Sequence, residues 1–166
     1  MFELKHLSKD GIPKALERAD RYRLLNEPVE AESICRDVLV IEPENQLALV
    51  TLLLALTDQL EEDVAEAGRQ AREVVPRLKD EYARAYYAGI VYERRAKAQL
   101  KRGGPGAAYV AHDLFREAMS CYEKAEGLRP PGNEDALLRW NTCVRILMRH
   151  PQIQQGPQER VEAPLE

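Results

Sequence analysis

Three cysteines and three histidines are the residues of this chain whose types could bind a metal or act as nucleophiles. The cysteines are odd in number and far apart in sequence: Cys35, Cys121 and Cys143. A disulfide framework needs pairs, and a zinc site needs Cys or His ligands at short spacing. The histidines are equally scattered: His6, His112 and His150. The sequence therefore predicts thiols that act as small apolar side chains, solvated histidines, and no metal or other cofactor.

One glycine-rich loop, Gly103-Gly104-Pro105-Gly106, has the composition of a phosphate cradle. It lacks the Gly-Lys-Ser/Thr ending of a nucleotide-binding loop and follows a helical pattern, so it predicts a tight turn between helices. A locally basic cluster surrounds the approach to this turn: Arg94, Arg95, Lys97, Lys101 and Arg102. The cluster could hold an acidic peptide or a nucleic acid. No aromatic residues interleave with it to stack bases, and such charge runs are usually solvated helix faces.

Other patterns argue against an enzyme, a nucleic-acid binder and a membrane protein. The carboxylates form no recognisable acid/base pair, and no Gly-x-Ser-x-Gly nucleophile motif occurs. A net charge of −4 lacks the excess of Lys and Arg that phosphate contacts require. The longest apolar cluster, Leu47 to Leu56, is too short to span a bilayer, and the N-terminus has no signal-peptide pattern. The sequence therefore predicts a cytoplasmic protein.

Apolar residues at helical spacing predict paired helices from residue 12 to about residue 150. The first hairpin runs from about Ile12 to Pro43 and turns at Asn26-Glu27-Pro28. The run Leu52-Leu53-Leu54-Ala55-Leu56 is apolar nearly all round, which predicts an interior helix. The third hairpin opens near Asp80, and a last amphipathic helix continues to about Leu147.

Three segments lie outside the regular pattern. Residues 1–11 are predicted to form a partial cap in which Phe2, Leu4 and Leu7 cover the open end of the first hairpin. The third hairpin is predicted to be extended around residues 96–115, with its tip projecting from the other helices. Residues 151–166 are rich in Gln, Pro and Glu, which predicts a disordered tail.

The spacing of small and aromatic residues resembles the tetratricopeptide repeat (TPR) family, whose unit is a 34-residue helix-turn-helix. In the first hairpin the matching residues are Tyr22, Ala31, Cys35 and Pro43. The third hairpin matches in two parts, Gly89 with Tyr92 and then Ala118, Tyr122, Ala125 and Pro130. The interval from Tyr92 to Ala118 far exceeds that from Tyr22 to Ala31. The resemblance implies an all-α, right-handed α-solenoid of about three units and a C-terminal capping helix.

Members of this family hold peptides or helices of partner proteins on the inner face formed by the first helix of each unit. Carried over position by position, the resemblance places these residues there, and we call them the groove face: Leu16, Asp20, Arg23, Val50, Leu54, Thr57, Tyr86, Ile90, Glu93, Leu138, Thr142 and Arg145. Chaperone-binding members carry Lys and Asn at first-helix positions where this chain has Leu16 and Asp20. The sequence thus departs from the chaperone-binding pattern.

Three functions follow as hypotheses. The leading one is an adaptor or scaffold that binds a peptide or helix of another protein, with no nucleic acid or membrane as partner. The second is a homo-oligomeric structural subunit that meets its second copy through the groove face or through the extended hairpin, where Arg95, Lys101 and Arg102 would guide the contact. The third, an enzyme or small-ligand-binding regulator, has no candidate residue with a stated role.

Overall fold

The computed structural model describes residues 1–153, which form seven α-helices and two short 3-10 turns and contain no strand. The all-helical prediction is therefore confirmed for these residues. None of the seven helices is both long and apolar enough to cross a membrane. The helices are α1 (Ile12–Leu24), α2 (Pro28–Ile41), α3 (Gln46–Thr57), α4 (Val64–Val74), α5 (Glu81–Arg102), α6 (Ala107–Leu128) and α7 (Asp135–Arg149).

Local sequence signals set where several helices begin. Asn45, Asp63 and Asp80 each precede a helix, and each side chain accepts a hydrogen bond from a backbone N–H in the first turn. These bonds satisfy donors that a helix N-terminus otherwise leaves unpaired. Pro28 begins α2 at a position where its missing N–H costs nothing. The turn between α1 and α2 thus ends at Glu27, whereas the sequence predicts a turn that includes Pro28.

Helix α3 is the centre of the packing. Each helix packs against the next along the chain, and α3 also contacts α1 and α5. Leu49, Leu53 and Ala55 of α3 are completely buried, and this helix is apolar on almost every side. The prediction of an interior helix is confirmed. Because α1, α3 and α5 touch in succession, side chains on these three helices can form one continuous surface.

The N-terminal segment covers less of the fold than its sequence predicts. Leu7 packs against the cluster that contains Ile12 and Val38. Phe2 and Leu4, which were expected to join it, are fully exposed or nearly so. Neither lies in a helix, so no amphipathic periodicity holds the two side chains on the apolar end of α1 and α2. The predicted cap thus consists of Leu7 alone.

The predicted extension of the third hairpin is present as two helices, α5 and α6, of 22 residues each. They turn at the exposed glycine-rich loop, where Gly103 and Gly104 have φ of 68° and 96°, conformations that residues with a Cβ rarely adopt. The far half of α5 does not project freely. Ala98 is buried in a cluster with Leu60 and with Ala67 of α4, so the extended part of α5 packs against the second hairpin.

The predicted tail lies largely in residues 154–166, outside the described residues. Its first residues are described, and they do not extend away from the fold. Ile153 is only 7% exposed and packs with Cys143 of α7, while its backbone N–H donates to the His150 carbonyl. Ordered packing therefore continues past residue 150, the limit expected for the helical domain.

The thiols provide a test of this packing. Cys35 and Cys143 are buried, Cys121 is half-buried, and burial raises the pKa of Cys35 and of Cys143 to about 12. We expect Ellman's reagent at mildly alkaline pH to modify Cys121 before the other two, because only a thiolate reacts. All three should react at once in denaturant. Equal and rapid labelling of the native protein would contradict the packing.

The same pKa shifts make stability depend on pH. Well below pH 9 the thiols are protonated in the folded and unfolded chains alike, so they leave stability unchanged there. Above it the unfolded chain releases protons that the folded chain retains, and the free energy of unfolding should fall. Denaturant titrations at rising pH measure this decline. A Cys35→Ala/Cys143→Ala variant should show a smaller decline of the free energy of unfolding over the same pH range.

Candidate partner-binding surface

The groove-face residues lie on α1, α3, α5 and α7, and the structure divides them by exposure. The buried ones are Leu16, Thr57, Ile90 and Glu93. Those half-buried are Arg23, Val50, Leu54, Tyr86 and Thr142. Asp20, Leu138 and Arg145 are exposed. The mixture arises because a helix between two neighbours buries more than one stripe, which a fixed spacing does not anticipate.

An ionic network joins the ends of α1 and α3 to the middle of α5. Arg23 Nε donates to Asp58 Oδ2 at 2.6 Å, and the Arg94 guanidinium donates to the other Asp58 oxygen and, at 2.8 Å, to Thr57 Oγ1. All three charged side chains are about four-fifths buried. Asp58 was not predicted, and Arg94 was assigned to the basic cluster. Two helices that supply the groove face are therefore cross-linked through the end of a third.

Behind this surface lies a buried carboxylate, Glu93 of α5. The Tyr122 hydroxyl donates to Glu93 Oε2 at 2.6 Å, and Lys97 and Arg139 donate to Oε1, Arg139 at 3.4 Å. Burial, and then the Glu93 charge, raises the pKa of Tyr122 far above its ordinary value. Glu93 is fully buried and surrounded by partners, so it ties α5 to α6 and α7. It is not accessible to a partner protein.

Three tyrosines of α5 supply aromatic surface near Glu93 and its partners. Tyr82 and Tyr86 stack with ring centroids 5.7 Å apart, and Tyr87 meets Tyr86 edge-on at 5.1 Å. All three rings are half-buried. Burial raises the pKa of Tyr82 and Tyr87, so both hydroxyls are neutral at physiological pH. Only Tyr86 was among the groove-face residues. Partly exposed tyrosines are common at protein interfaces, because each combines apolar area with a hydrogen-bonding tip.

At the α1 and α3 end of the same face is a cleft of about 920 Å³. We call it the α1/α3 cleft. Leu16 and Asp20, two of the groove-face residues, line it. The other lining residues are not among the groove-face residues: Lys9, Asp10, Ile12, Pro13, Glu17, Glu42, Asn45, Leu47 and Thr51. Its walls thus combine apolar side chains with carboxylates. Two lining residues come from the 3-10 turn Lys9–Gly11, which no helical periodicity indicates.

The basic cluster does not form one patch. Lys101 pairs with Glu61, Lys97 with Glu93, and Arg94 with Asp58, so acidic partners from elsewhere in the fold compensate these charges. Arg95 lies 5.9 Å from the Tyr92 ring centroid, and burial lowers its pKa. Arg102 lies beside a cleft of about 570 Å³ together with Lys101 and residues 61–65. The hypothesis that Arg95, Lys101 and Arg102 act as one docking surface is weakened by this dispersal.

His112 also differs from its expected state. The sequence predicts a solvated ring, but the side chain is only 17% exposed, and its Nδ1 lies 3.5 Å from Asp113 Oδ1. The neighbouring carboxylate comes from the adjacent residue, whose own side chain is 74% exposed. Within residues 1–153 the buried Nδ1 of His112 has no hydrogen-bond partner, so Asp113 does not orient the ring. We therefore assign the pair no chemical role.

Within residues 1–153, no group of three or more His, Cys, Asp and Glu side chains is placed to hold a metal ion. The features that remain are the α1/α3 cleft, the tyrosines of α5 and the exposed residues of α7. Comparison of the chain with models of protein families, with curated proteins and with solved structures finds no match to any of them.

Proposed function

We propose that the protein is a cytoplasmic TPR-like α-solenoid that binds a peptide or helix of a partner protein along its groove face. The repeat spacing supports this, as do the contacts of α3 with both α1 and α5, since stacked hairpins bring their first helices together. Three thiols in no disulfide suit a reducing compartment. The small residues at repeat positions, Ala31, Gly89 and Ala118, are buried where helices approach.

The α1/α3 cleft is the observation that carries the proposal. It opens on the face where the resemblance places a partner, and it is large enough to take several side chains of a bound segment. Farther along this face, Leu54, Tyr86 and Leu138 retain exposed apolar area. A binding surface of this kind needs apolar anchors in a pocket and a polar rim, and it needs no catalytic group.

Self-association remains the second candidate, because α7 carries large exposed apolar residues. Leu138 is 58% and Met148 is 74% exposed. A second copy could cover them, and the resulting protein would be a structural subunit of a larger assembly. Light scattering on a size-exclusion column distinguishes the two functions, since only the subunit gains mass in the absence of a partner.

Affinity purification from the native host tests the adaptor function when it is done with four proteins. They are the wild type, a groove variant (Leu138→Asp), a hairpin variant (Lys101→Glu/Arg102→Glu) and a control (Val40→Asp). Leu138 and Val40 are similarly exposed, at 58% and 62%, but Val40 lies on α2. We expect wild type, hairpin variant and control to capture the same partner.

The groove variant should lose most of that partner, because an aspartate in an apolar contact leaves a desolvated charge. Loss confined to the hairpin variant would move the binding surface to the tip of α5 and α6. Equal capture by all four proteins would contradict a partner on the groove face.

A further inference from the structure

We infer that the α1/α3 cleft selects a basic segment, in which Lys or Arg residues flank an apolar side chain, from the partner protein. This inference rests on the proposed function and specifies the chemistry of the partner at one end of the groove face. Two features of the cleft carry it: an apolar floor and an excess of carboxylates.

The apolar floor is formed where α1 faces α3. Ile12 and Leu16 are buried there and pack together with Val38 and Ala48. Leu47 is 60% exposed and lines the same opening, as does the exposed Pro13. Buried residues make the floor rigid, and the exposed residues leave apolar area that a partner could cover. One aliphatic side chain of the partner placed here would remove the exposed apolar surface of Leu47 and Pro13 from water.

The charges around the opening are mostly negative. Asp10, Glu17, Asp20 and Glu42 line the cleft, and Lys9 is the one basic residue of the lining. Asp10, Glu17 and Asp20 take part in no ion pair among residues 1–153. Acidic side chains next to α4 and α5, by contrast, are paired with Arg or Lys: Asp58, Glu61, Glu66 and Glu93. Carboxylates around an apolar floor attract a segment that presents ammonium or guanidinium groups and repel an acidic one.

Three fluorescent peptides of equal length test the selection. In each a pair of Leu residues is flanked on both sides by Lys, by Gln or by Glu, and fluorescence anisotropy measures binding to the full chain. We expect the Lys peptide to bind at least about tenfold more tightly than the Gln peptide, and the Glu peptide to bind least. Added salt should weaken the Lys peptide far more than the Gln peptide.

One variant locates the binding, and a second is matched to it in its change of charge. Glu17→Lys/Asp20→Lys should abolish the preference for Lys, whereas Glu117→Lys/Glu123→Lys, which makes the same change of charge on exposed positions of α6, should retain it. Circular dichroism melts verify that each variant is folded.

Each other outcome overturns the inference in a recognisable way. Equal binding of the Lys and Gln peptides, together with loss of the native partner by Leu138→Asp, would show a groove that binds without charge selection, so the proposed function would stand alone. Loss of preference in both charge variants would show an effect of net charge and not of the cleft. A wild-type dimer that Glu17→Lys/Asp20→Lys converts to a monomer would make a second copy the occupant. Absence of binding by every peptide would contradict the inference outright.

Discussion

Gly89→Ala is expected to destabilise the protein by about 1–3 kcal/mol through overpacking. A Cβ at residue 89 would lie 2.5 Å from Tyr122 Cε1 and 2.7 Å from its Cδ1. The Tyr122 ring has little room to move, because it is fully buried and its hydroxyl is bonded to Glu93. Alanine favours a helix over glycine by up to about 1 kcal/mol, which offsets only part of the cost. Denaturant unfolding of wild type and variant measures the difference.

The control for Gly89 is Gly127→Ala in α6. Apart from its chain neighbours and the nearby backbone of its own helix, no atom of residues 1–153 lies within 4 Å of the position that a Cβ would take at residue 127, and its φ is not positive. The same substitution should therefore stabilise the protein by roughly 0.4–1 kcal/mol, because only helix propensity and unfolded-state entropy remain. If both variants were equally stabilised, Gly89 would not lie against Tyr122, and the packing of α5 on α6 would be wrong.

Glu93→Ala should have the second large effect, a loss of about 2–4 kcal/mol. The substitution leaves the Tyr122 hydroxyl without a partner in the core and creates a cavity beside it. Lys97 and Arg139 lose their carboxylate too, but their side chains are 42% and 30% exposed and can be hydrated. The expected loss is for this reason smaller than that for a completely buried ion pair. Chemical denaturation at constant pH measures it.

A double-mutant cycle with Tyr122→Phe separates the hydrogen bond from the rest of the Glu93 contribution. The hydroxyl and the carboxylate are direct partners, so the two substitutions should not be additive. Glu93→Gln, which keeps a hydrogen-bond acceptor but loses the charge, should fall between wild type and Glu93→Ala. Additive losses would indicate that Tyr122 and Glu93 act independently, against the geometry described above.

Much of the fold follows from local sequence signals. The spacing of apolar residues and the capping side chains Asn45, Asp63 and Asp80 indicate where helices lie. The continuous apolar run in α3 indicates an interior helix, because no polar face is left for solvent. The resemblance to the repeat family assigns both Gly89 and Tyr122 to repeat positions. The Tyr122 ring fills the space over Gly89 because of the way α5 packs on α6. A spacing pattern does not specify this packing.

The surface could be predicted only in part. Arg23 and Asp58 are 35 residues apart in sequence, and many other acidic residues could have been the partner of Arg23 or Arg94. Exposed charged residues do not recur at the regular spacing by which core residues are recognised. The pairing of the basic cluster with Glu61, Glu93 and Asp58 therefore becomes visible only in the structure. The α1/α3 cleft could not be predicted from the sequence either, because it combines a 3-10 turn, two helices and the loop between α2 and α3.

Site-specific photo-cross-linking tests the central claim, a partner on the groove face, most directly. A photoreactive phenylalanine analogue would replace Asp20 or Leu138 on that face, and Val40 or Gly127 away from it, since all four positions are exposed. Irradiation in cells of the native host should give adducts with one partner protein from the first two positions and from neither of the others. Adducts from Val40 or Gly127 alone, or none from Asp20 and Leu138, would contradict the claim.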